Sequence, residues 1–232
     1  MAKGVKALIG LTVTAVAAFW IYEHLPAQYN PFTPLSIDDP PTLVTRYKLR
    51  QMANHPEACL ALLKQAEARQ QLSFRSVADA SGKCPLRDAV RVQNFGDVKL
   101  SSSFLASCPL ALSSTMFIHQ RAVPQALTTF GSKLTRVNHL GSYACRNIYH
   151  RQNARLSEHA TADALDVSGF GFANGQQVTV LKGWGSDGKG GEYLHAVFEN
   201  GCVFFGNALG PDYNAAHANH FHLGMRGYGL CR

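Results

Sequence analysis

Two short stretches of this chain carry residues that could bind a metal ion together. Residues 157–167 read Ser-Glu-His-Ala-Thr-Ala-Asp-Ala-Leu-Asp-Val, and residues 217–223 read His-Ala-Asn-His-Phe-His-Leu. Imidazole nitrogens combined with a carboxylate oxygen suit Zn²⁺, which binds such ligands at roughly 2.0–2.2 Å. Three protein ligands leave a fourth position for water, as a catalytic zinc site requires.

The two stretches must lie on neighbouring elements for this chemistry. Residues 164–168 alternate between apolar and small or polar side chains, which predicts a strand with Asp166 on one face. Residues 220–225 alternate in the same way, so His220 and His222 project from the face opposite the apolar residues. If the two strands lie side by side, Asp166 and the two histidines face one space.

These residues resemble the motifs of a known group of metallopeptidases. Residues 157–166 resemble the pattern Ser-x-His-x-x-Gly-x-Ala-x-Asp, with Ala162 at the Gly position, and residues 220–222 resemble its second motif, His-x-His. The group, abbreviated LAS, contains lysostaphin-type enzymes, D-Ala-D-Ala carboxypeptidases and hedgehog domains. Residues 141–146, 157–170 and 209–223 resemble more closely the bacterial extensin-like C-terminal domain family, and the resemblance covers roughly residues 57–232.

The resemblance implies roles for individual residues. His159, Asp166 and His222 are expected to be the zinc ligands, with His159 closing over the site from the loop before the first strand. Two further roles follow from residue chemistry and not from the resemblance. Ser157 is expected to hydrogen-bond the substrate or to orient His159, with an ordinary turn serine as the alternative. Arg146 is expected to bind a peptide carboxylate, because guanidinium pairs with carboxylate through two parallel hydrogen bonds, with a surface salt bridge as the alternative.

The general base is the point at which the chain departs from its relatives. They often carry an acid three positions before the last ligand, where this chain has Asn219, whose amide does not accept a proton at neutral pH. His220 is therefore the predicted base, since it lies on the ligand face and imidazole titrates near pH 6.5. His217 and Glu158 are weaker candidates. Gly224 also stands where extensin-like relatives often have an acid.

Two functions remain open at this point. The first is a zinc-dependent peptidase of the bacterial cell envelope that cleaves peptidoglycan stem peptides or cross-links. The second is a non-catalytic wall-binding or scaffolding module with a structural metal site or none, which Asn219 and Gly224 favour. The substrate class comes from the resemblance and not from residue spacing.

Charge and composition agree with an envelope protein. The chain of 232 residues has a net charge of +7, 46% hydrophobic residues and 16% charged residues, which is typical of a globular domain. The basic residues are scattered, so we interpret them as favouring solubility or attraction to an anionic wall polymer. Without a nucleic-acid motif or an interleaved aromatic patch, we do not expect a nucleic-acid partner.

Six scattered cysteines indicate three disulfides in an oxidising compartment. Sequence order alone predicts the pairs 59–84, 108–145 and 202–231.

The N-terminus predicts a membrane anchor followed by a linker. Residues 7–22 are uncharged and mostly apolar and follow two lysines, so residues 1–24 are predicted to be an uncleaved transmembrane helix, with a signal peptide cleaved after residues 15–17 as the alternative. Residues 25–41 hold five prolines and are predicted to be an extended spacer. Residues 42–232 would then form the domain, placed in the periplasm by a single pass through the inner membrane.

The fold expected for residues 42–232 is α+β, an antiparallel sheet with packed helices of the LAS/hedgehog type. Apolar periodicity and capping residues predict helices at 42–52, 56–68, 109–130 and 192–205, the third kinked at Pro124 and capped by Ser107. Besides the two site strands, alternation predicts strands at 72–78, 89–95, 134–140 and 177–181.

Overall fold

A mixed, mostly antiparallel sheet forms the centre of the computed structural model, which describes residues 2–227 and 229–232. Within those residues the sheet has eight strands in the order β1-β2-β3-β4-β5-β8-β7, and β6 pairs with β5 off this path. The strands are β1 (Ser73–Ser76), β2 (Ala89–Phe95), β3 (Val98–Ser107), β4 (Leu134–Gly141), β5 (Ala164–Phe172), β6 (Gln177–Thr179), β7 (Asn207–Leu209) and β8 (Phe221–Gly224). The predicted α+β class with an antiparallel sheet is confirmed, although β3 and β4 pair in parallel.

The helices of the described residues are α1 (Ala2–His24), α2 (Leu43–Gln51), α3 (Pro56–Ala68), α4 (Cys108–Phe117), α5 (Val123–Phe130), α6 (Val180–Gly183) and α7 (Lys189–Gly201). Helix α1 is exposed along its length, whereas α4 and α5 contact strands of the sheet. Thr42 and Ser107 cap α2 and α4, because each side-chain oxygen accepts a backbone N–H from the first turn. Leu110 and Leu112 of α4 and Leu194 and Val197 of α7 are buried in the same apolar core as the strands.

The predicted helix at 109–130 is interrupted. A π-helical turn, Ile118–Ala122, separates α4 from α5 immediately before Pro124. Proline has no N–H to donate and its ring displaces the carbonyl four residues earlier, so a regular α-helix cannot run through it.

Other boundaries differ from the predictions for local reasons. Strand β3 was not predicted, because three consecutive serines at 101–103 break its apolar alternation. The strand predicted at 177–181 ends at Thr179, after which Val180 begins α6. The helix predicted at 192–205 begins earlier, at Lys189, and ends at Gly201.

All six cysteines form disulfides, but two predicted pairs are wrong. Cys59 bonds Cys108 with Cα atoms 6.1 Å apart, and Cys84 bonds Cys145 at 5.6 Å. Helix α3 packs against α4, which brings Cys59 to the first residue of α4 and away from Cys84. The predicted pair Cys202–Cys231 is confirmed.

The N-terminal region holds one helix that could span a membrane. Residues Lys3–His24 are long and apolar enough for this by length and composition. The following residues, 25–41, fold back on the domain, which differs from the predicted extended spacer. Leu35 and Ile37 are buried in the core, and the buried Lys48 ammonium donates to the carbonyl oxygen of Ala27 at 2.8 Å.

Candidate metal centre

Strands β5 and β8 place a carboxylate and an imidazole side by side. The strands pair antiparallel with Asp166 opposite His222 and Val167 opposite Phe221. Leu165 and Val167 are buried in the core, so the strand period of two residues directs Asp166 to the other face. The adjacent strands that the alternation required are therefore present.

His159 reaches the same point from a 3-10 turn, Glu158–Thr161, just before β5. The turn begins where the hydroxyl of Ser157 accepts the backbone N–H of His159 at 3.4 Å. It ends at Ala162, whose φ of 55° is a left-handed conformation that glycine adopts most readily. The glycine that the LAS pattern has at this position would adopt the left-handed conformation without the strain that a Cβ atom adds.

Two imidazole nitrogens and the Asp166 carboxylate form a triangle, in which each histidine faces a different oxygen of the carboxylate. His159 Nε2 lies 3.2 Å from His222 Nδ1 and 3.3 Å from Asp166 Oδ2. His222 Nδ1 lies 3.1 Å from Asp166 Oδ1. A tetrahedral zinc ion with ligands at 2.0–2.1 Å has ligand atoms roughly 3.3 Å apart. Both the donor set and the spacing of these residues fit Zn²⁺.

The far side of each imidazole also has a hydrogen-bond acceptor. His159 Nδ1 lies 3.2 Å from the carbonyl oxygen of Ser142, and His222 Nε2 lies 3.3 Å from Glu158 Oε2. Such contacts place the ring hydrogen of each neutral imidazole on the outer nitrogen, so that Nε2 of His159 and Nδ1 of His222 would be the atoms that bind a metal ion, as is usual for metal-binding histidines.

Glu158 is held firmly in this position. Its buried carboxylate accepts hydrogen bonds from Asn207 Nδ2 at 3.0 Å and from the backbone N–H of Arg226 at 2.7 Å. A Cβ atom at Gly224 would lie 2.6 Å from Glu158 Oε1, too close for any real contact. Glycine at 224 therefore makes room for the Glu158 carboxylate beside His222.

The electrostatics of the cluster favour a cation. Burial opposes the charge of Asp166, but hydrogen bonds from His159 and His222 outweigh it and hold the pKa of Asp166 well below its usual value. Burial likewise disfavours a charged His222, but Asp166 and Glu158 together raise its pKa to about 9. In the metal-free protein at neutral pH, His222 is thus an imidazolium between two carboxylates, where a metal ion would replace its Nδ1 proton.

His220, the predicted base, lies beside this cluster. Its Nε2 is 3.5 Å from Asp166 Oδ1, and its Nδ1 is 2.8 Å from Asn219 Oδ1. Burial lowers the pKa of His220, which favours the neutral ring. A hydrogen on Nδ1 donated to Asn219 leaves the Nε2 lone pair directed toward the cluster.

The two weaker base candidates are placed differently. His217 is buried, and burial followed by the nearby His222 and His220 lowers its pKa to about 4. The ring of His217 lies 5.8 Å from that of His222. Glu158 contacts the outer nitrogen of His222, behind the ligand triangle, so it is poorly placed to act as the base.

A cavity of about 550 Å³ opens over the ligand cluster, within the range of small-ligand sites. Ser157 and Arg146 both lie on its wall, with His159, Asp166 and His222 at one side. Tyr149 also lines the cavity, and its hydroxyl accepts a hydrogen bond from Asn214 Nδ2 at 3.0 Å. The three candidate metal-binding residues are therefore accessible to a small molecule through this cavity.

A family comparison covers most of the chain. Residues 57–232 match the family described as Extensin-like protein C-terminus. The chain belongs to the extensin-like C-terminal family. Comparison with curated proteins and with solved structures returns no match.

Several residues of this extensin-like site were not singled out by the sequence analysis. Asn207 and Arg226 hold Glu158, and the carbonyl of Ser142 receives His159. Backbone groups carry no sequence signal for such contacts, and Asn207 lies outside the recognisable motifs. Glu158 directly precedes His159, which was a usable hint.

Proposed function

We propose that this extensin-like protein is a zinc-dependent peptidase of the bacterial cell envelope that cleaves peptidoglycan stem peptides or cross-links. The observation that carries the proposal is the triangle formed by His159 Nε2, Asp166 and His222 Nδ1 at the side of an open cavity. Zinc held there would acidify water and polarise a carbonyl group. The substrate class rests on the resemblance to LAS-type enzymes.

The protein's own residues would divide the remaining work. His220 would take a proton at Nε2, since Asn219 occupies its Nδ1 hydrogen. Arg146 on the cavity wall would pair with a peptide carboxylate. Ser157 would fix the turn that carries His159, as its hydrogen bond to the backbone N–H of His159 suggests.

The proposed location is the periplasm, with α1 as a single-pass anchor in the inner membrane. The apolar helix Lys3–His24 supports an anchor. The three disulfides support an oxidising compartment, because such bonds do not persist in the cytosol.

The test is hydrolysis of purified peptidoglycan by the full chain in detergent. Peptides released are identified by mass spectrometry, with and without chelator and after zinc is restored. We expect chelator-sensitive release that is lost in His220→Ala while zinc stays bound. His55→Ala, at an exposed histidine away from the cavity lining, is the matched control.

The second candidate is a non-catalytic wall-binding module with a structural metal. Asn219 favours it, because no acid occupies the position at which relatives carry one. It predicts zinc binding and co-sedimentation with peptidoglycan, but no released peptide under any substrate tested.

A further inference from the structure

Helix α2 exposes large apolar side chains close to the end of the apolar helix α1. Leu43 is 81% exposed and Tyr47 is 50% exposed. They are four residues apart, so they lie on one side of α2, opposite the buried Thr45, Lys48 and Leu49. We call this side, with Arg46 and Arg50 at its margin, the α2 face. Phe32, which lies in the segment between α1 and α2, is 78% exposed.

The segment after α1 ties the α2 face to the end of that helix. Asn30 Nδ2 donates to the carbonyl oxygen of Tyr22 at 3.3 Å, and the Phe32 ring lies 6.1 Å from the Tyr22 ring. On the other side, Thr42 at the start of α2 donates its hydroxyl to the carbonyl oxygen of Gln28 at 2.7 Å. The start of α2 is therefore tied to the end of α1 through residues 28–32 and does not hang on a free tether.

The charges on the α2 face are cationic and lack acidic partners. Among the residues that the structure describes, no carboxylate lies within ion-pair distance of Arg46 or Arg50. Arg46 Nε is buried without a hydrogen-bond partner. Lys48, by contrast, is buried and paired with Asp39 at 3.7 Å. Two unpaired guanidinium groups beside apolar side chains match an anionic lipid surface, in which phosphates lie just above acyl chains.

We propose that the α2 face lies on the surface of the membrane that α1 crosses, with Leu43 and Tyr47 in the interface and Arg46 and Arg50 against the phosphates of anionic lipids. This inference rests on the membrane anchor of the proposed function. It means that the domain is fixed against the bilayer surface. The Arg50 guanidinium lies against Gly227, and the neighbouring Arg226 lines the cavity. Contact of the α2 face with the membrane would therefore also constrain the direction in which the cavity faces.

The test uses the full chain in proteoliposomes that contain brominated phosphatidylglycerol, which quenches tryptophan at short range. Leu43→Trp is compared with Leu127→Trp, an exposed leucine on α5, both in the Trp20→Phe, Trp184→Phe background so that neither native tryptophan contributes to the signal. We expect the Leu43→Trp signal to be quenched and the Leu127→Trp signal to be unaffected. In the Leu43→Trp protein, Arg50→Gln should raise the phosphatidylglycerol fraction needed for half-maximal quenching by roughly fivefold.

Three results would overturn the inference. No quenching at position 43 in vesicles that carry the protein would show that the α2 face is away from the lipid. Protection of position 43 that is lost on dilution of the protein in the bilayer would assign the face to a second copy of the chain. A chain that does not float with the vesicles at all would refute the anchor itself, which is a separate failure. Tyr47→Trp repeats the measurement if Leu43→Trp does not fold.

Discussion

Replacing Glu158 with glutamine should weaken zinc binding without altering any of the three ligands. The Glu158 carboxylate accepts hydrogen bonds from His222 Nε2, Asn207 Nδ2 and the backbone N–H of Arg226. Glutamine has the same shape, but one of its two terminal atoms is an NH₂ group that only donates. Whichever way the amide turns, at least one of the surrounding donors faces another donor.

The magnitude follows from those contacts. Leaving one buried donor unpaired costs about 1–3 kcal/mol of folding free energy. Loss of the acceptor behind a metal-binding histidine typically lowers metal affinity by about 10- to 100-fold, or about 1.4–2.7 kcal/mol. We expect Glu158→Gln to lower the free energy of unfolding and the zinc affinity by amounts within these two ranges. Glu199→Gln, on the exposed side of α7, is the matched control and should change neither quantity.

The assay is competition for zinc between the protein and a chromogenic chelator of known affinity, with denaturant unfolding of the metal-free protein alongside it. If Glu158→Gln folds normally and binds zinc within about twofold of the wild type, well short of the expected loss of about 10- to 100-fold, then Glu158 does not orient His222. That result would refute the assignment of His222 Nδ1 as the ligand atom, because the assignment depends on Nε2 donating to Glu158.

Three further predictions test separate contacts. Gly224→Ala should lower zinc affinity as Glu158→Gln does, because the added methyl group would displace the Glu158 carboxylate. The control is Gly185→Ala, where a Cβ atom meets open space, and it should leave the affinity unchanged in the same chelator competition. Asn219→Ala should slow peptide release by roughly 3- to 10-fold with zinc content unchanged, as expected for loss of the one hydrogen bond that orients His220. Asn219→Asp should restore the rate. Equal rates in the wild type and both variants would show that Asn219 does not orient His220. In the metal-free protein the free energy of unfolding should fall by about 3 kcal/mol between pH 6.5 and pH 9, because the pKa of His222 is raised to about 9 and its charged form stabilises the fold only below that pH. Denaturant titrations at the two pH values measure this, and a flat profile would contradict it.

The position of Asp166 beside His222 could be anticipated from the sequence because it depends on strand periodicity, whereas the choice of His159, Asp166 and His222 as ligands comes from the family resemblance. Asp166 and His222 lie on strands whose alternating pattern allows only one face for each side chain, and the pairing of β5 with β8 places them opposite each other. The contacts around the triangle could not be anticipated in this way. Glu158 is positioned by Asn207 and Arg226, which are distant in sequence and follow no periodic pattern.

The fold shows the same division between local and long-range information. The caps at Thr42 and Ser107 are local signals, and both are present in the structure. The pairing of Cys59 with Cys108 depends on how α3 packs against α4, which sequence order does not reveal. The packing of residues 25–41 on the domain was missed because their prolines indicate an extended chain, while the burial of Leu35 and Ile37 depends on a surface formed elsewhere.

The most direct test of the proposed metal centre is the zinc content of the purified full chain, measured by inductively coupled plasma mass spectrometry. We predict one zinc ion per chain in the wild type and in His55→Ala, and loss of that ion in Asp166→Ala. Wild-type protein that stays free of zinc after incubation with the metal, or Asp166→Ala protein that binds it as tightly as the wild type, would contradict the account.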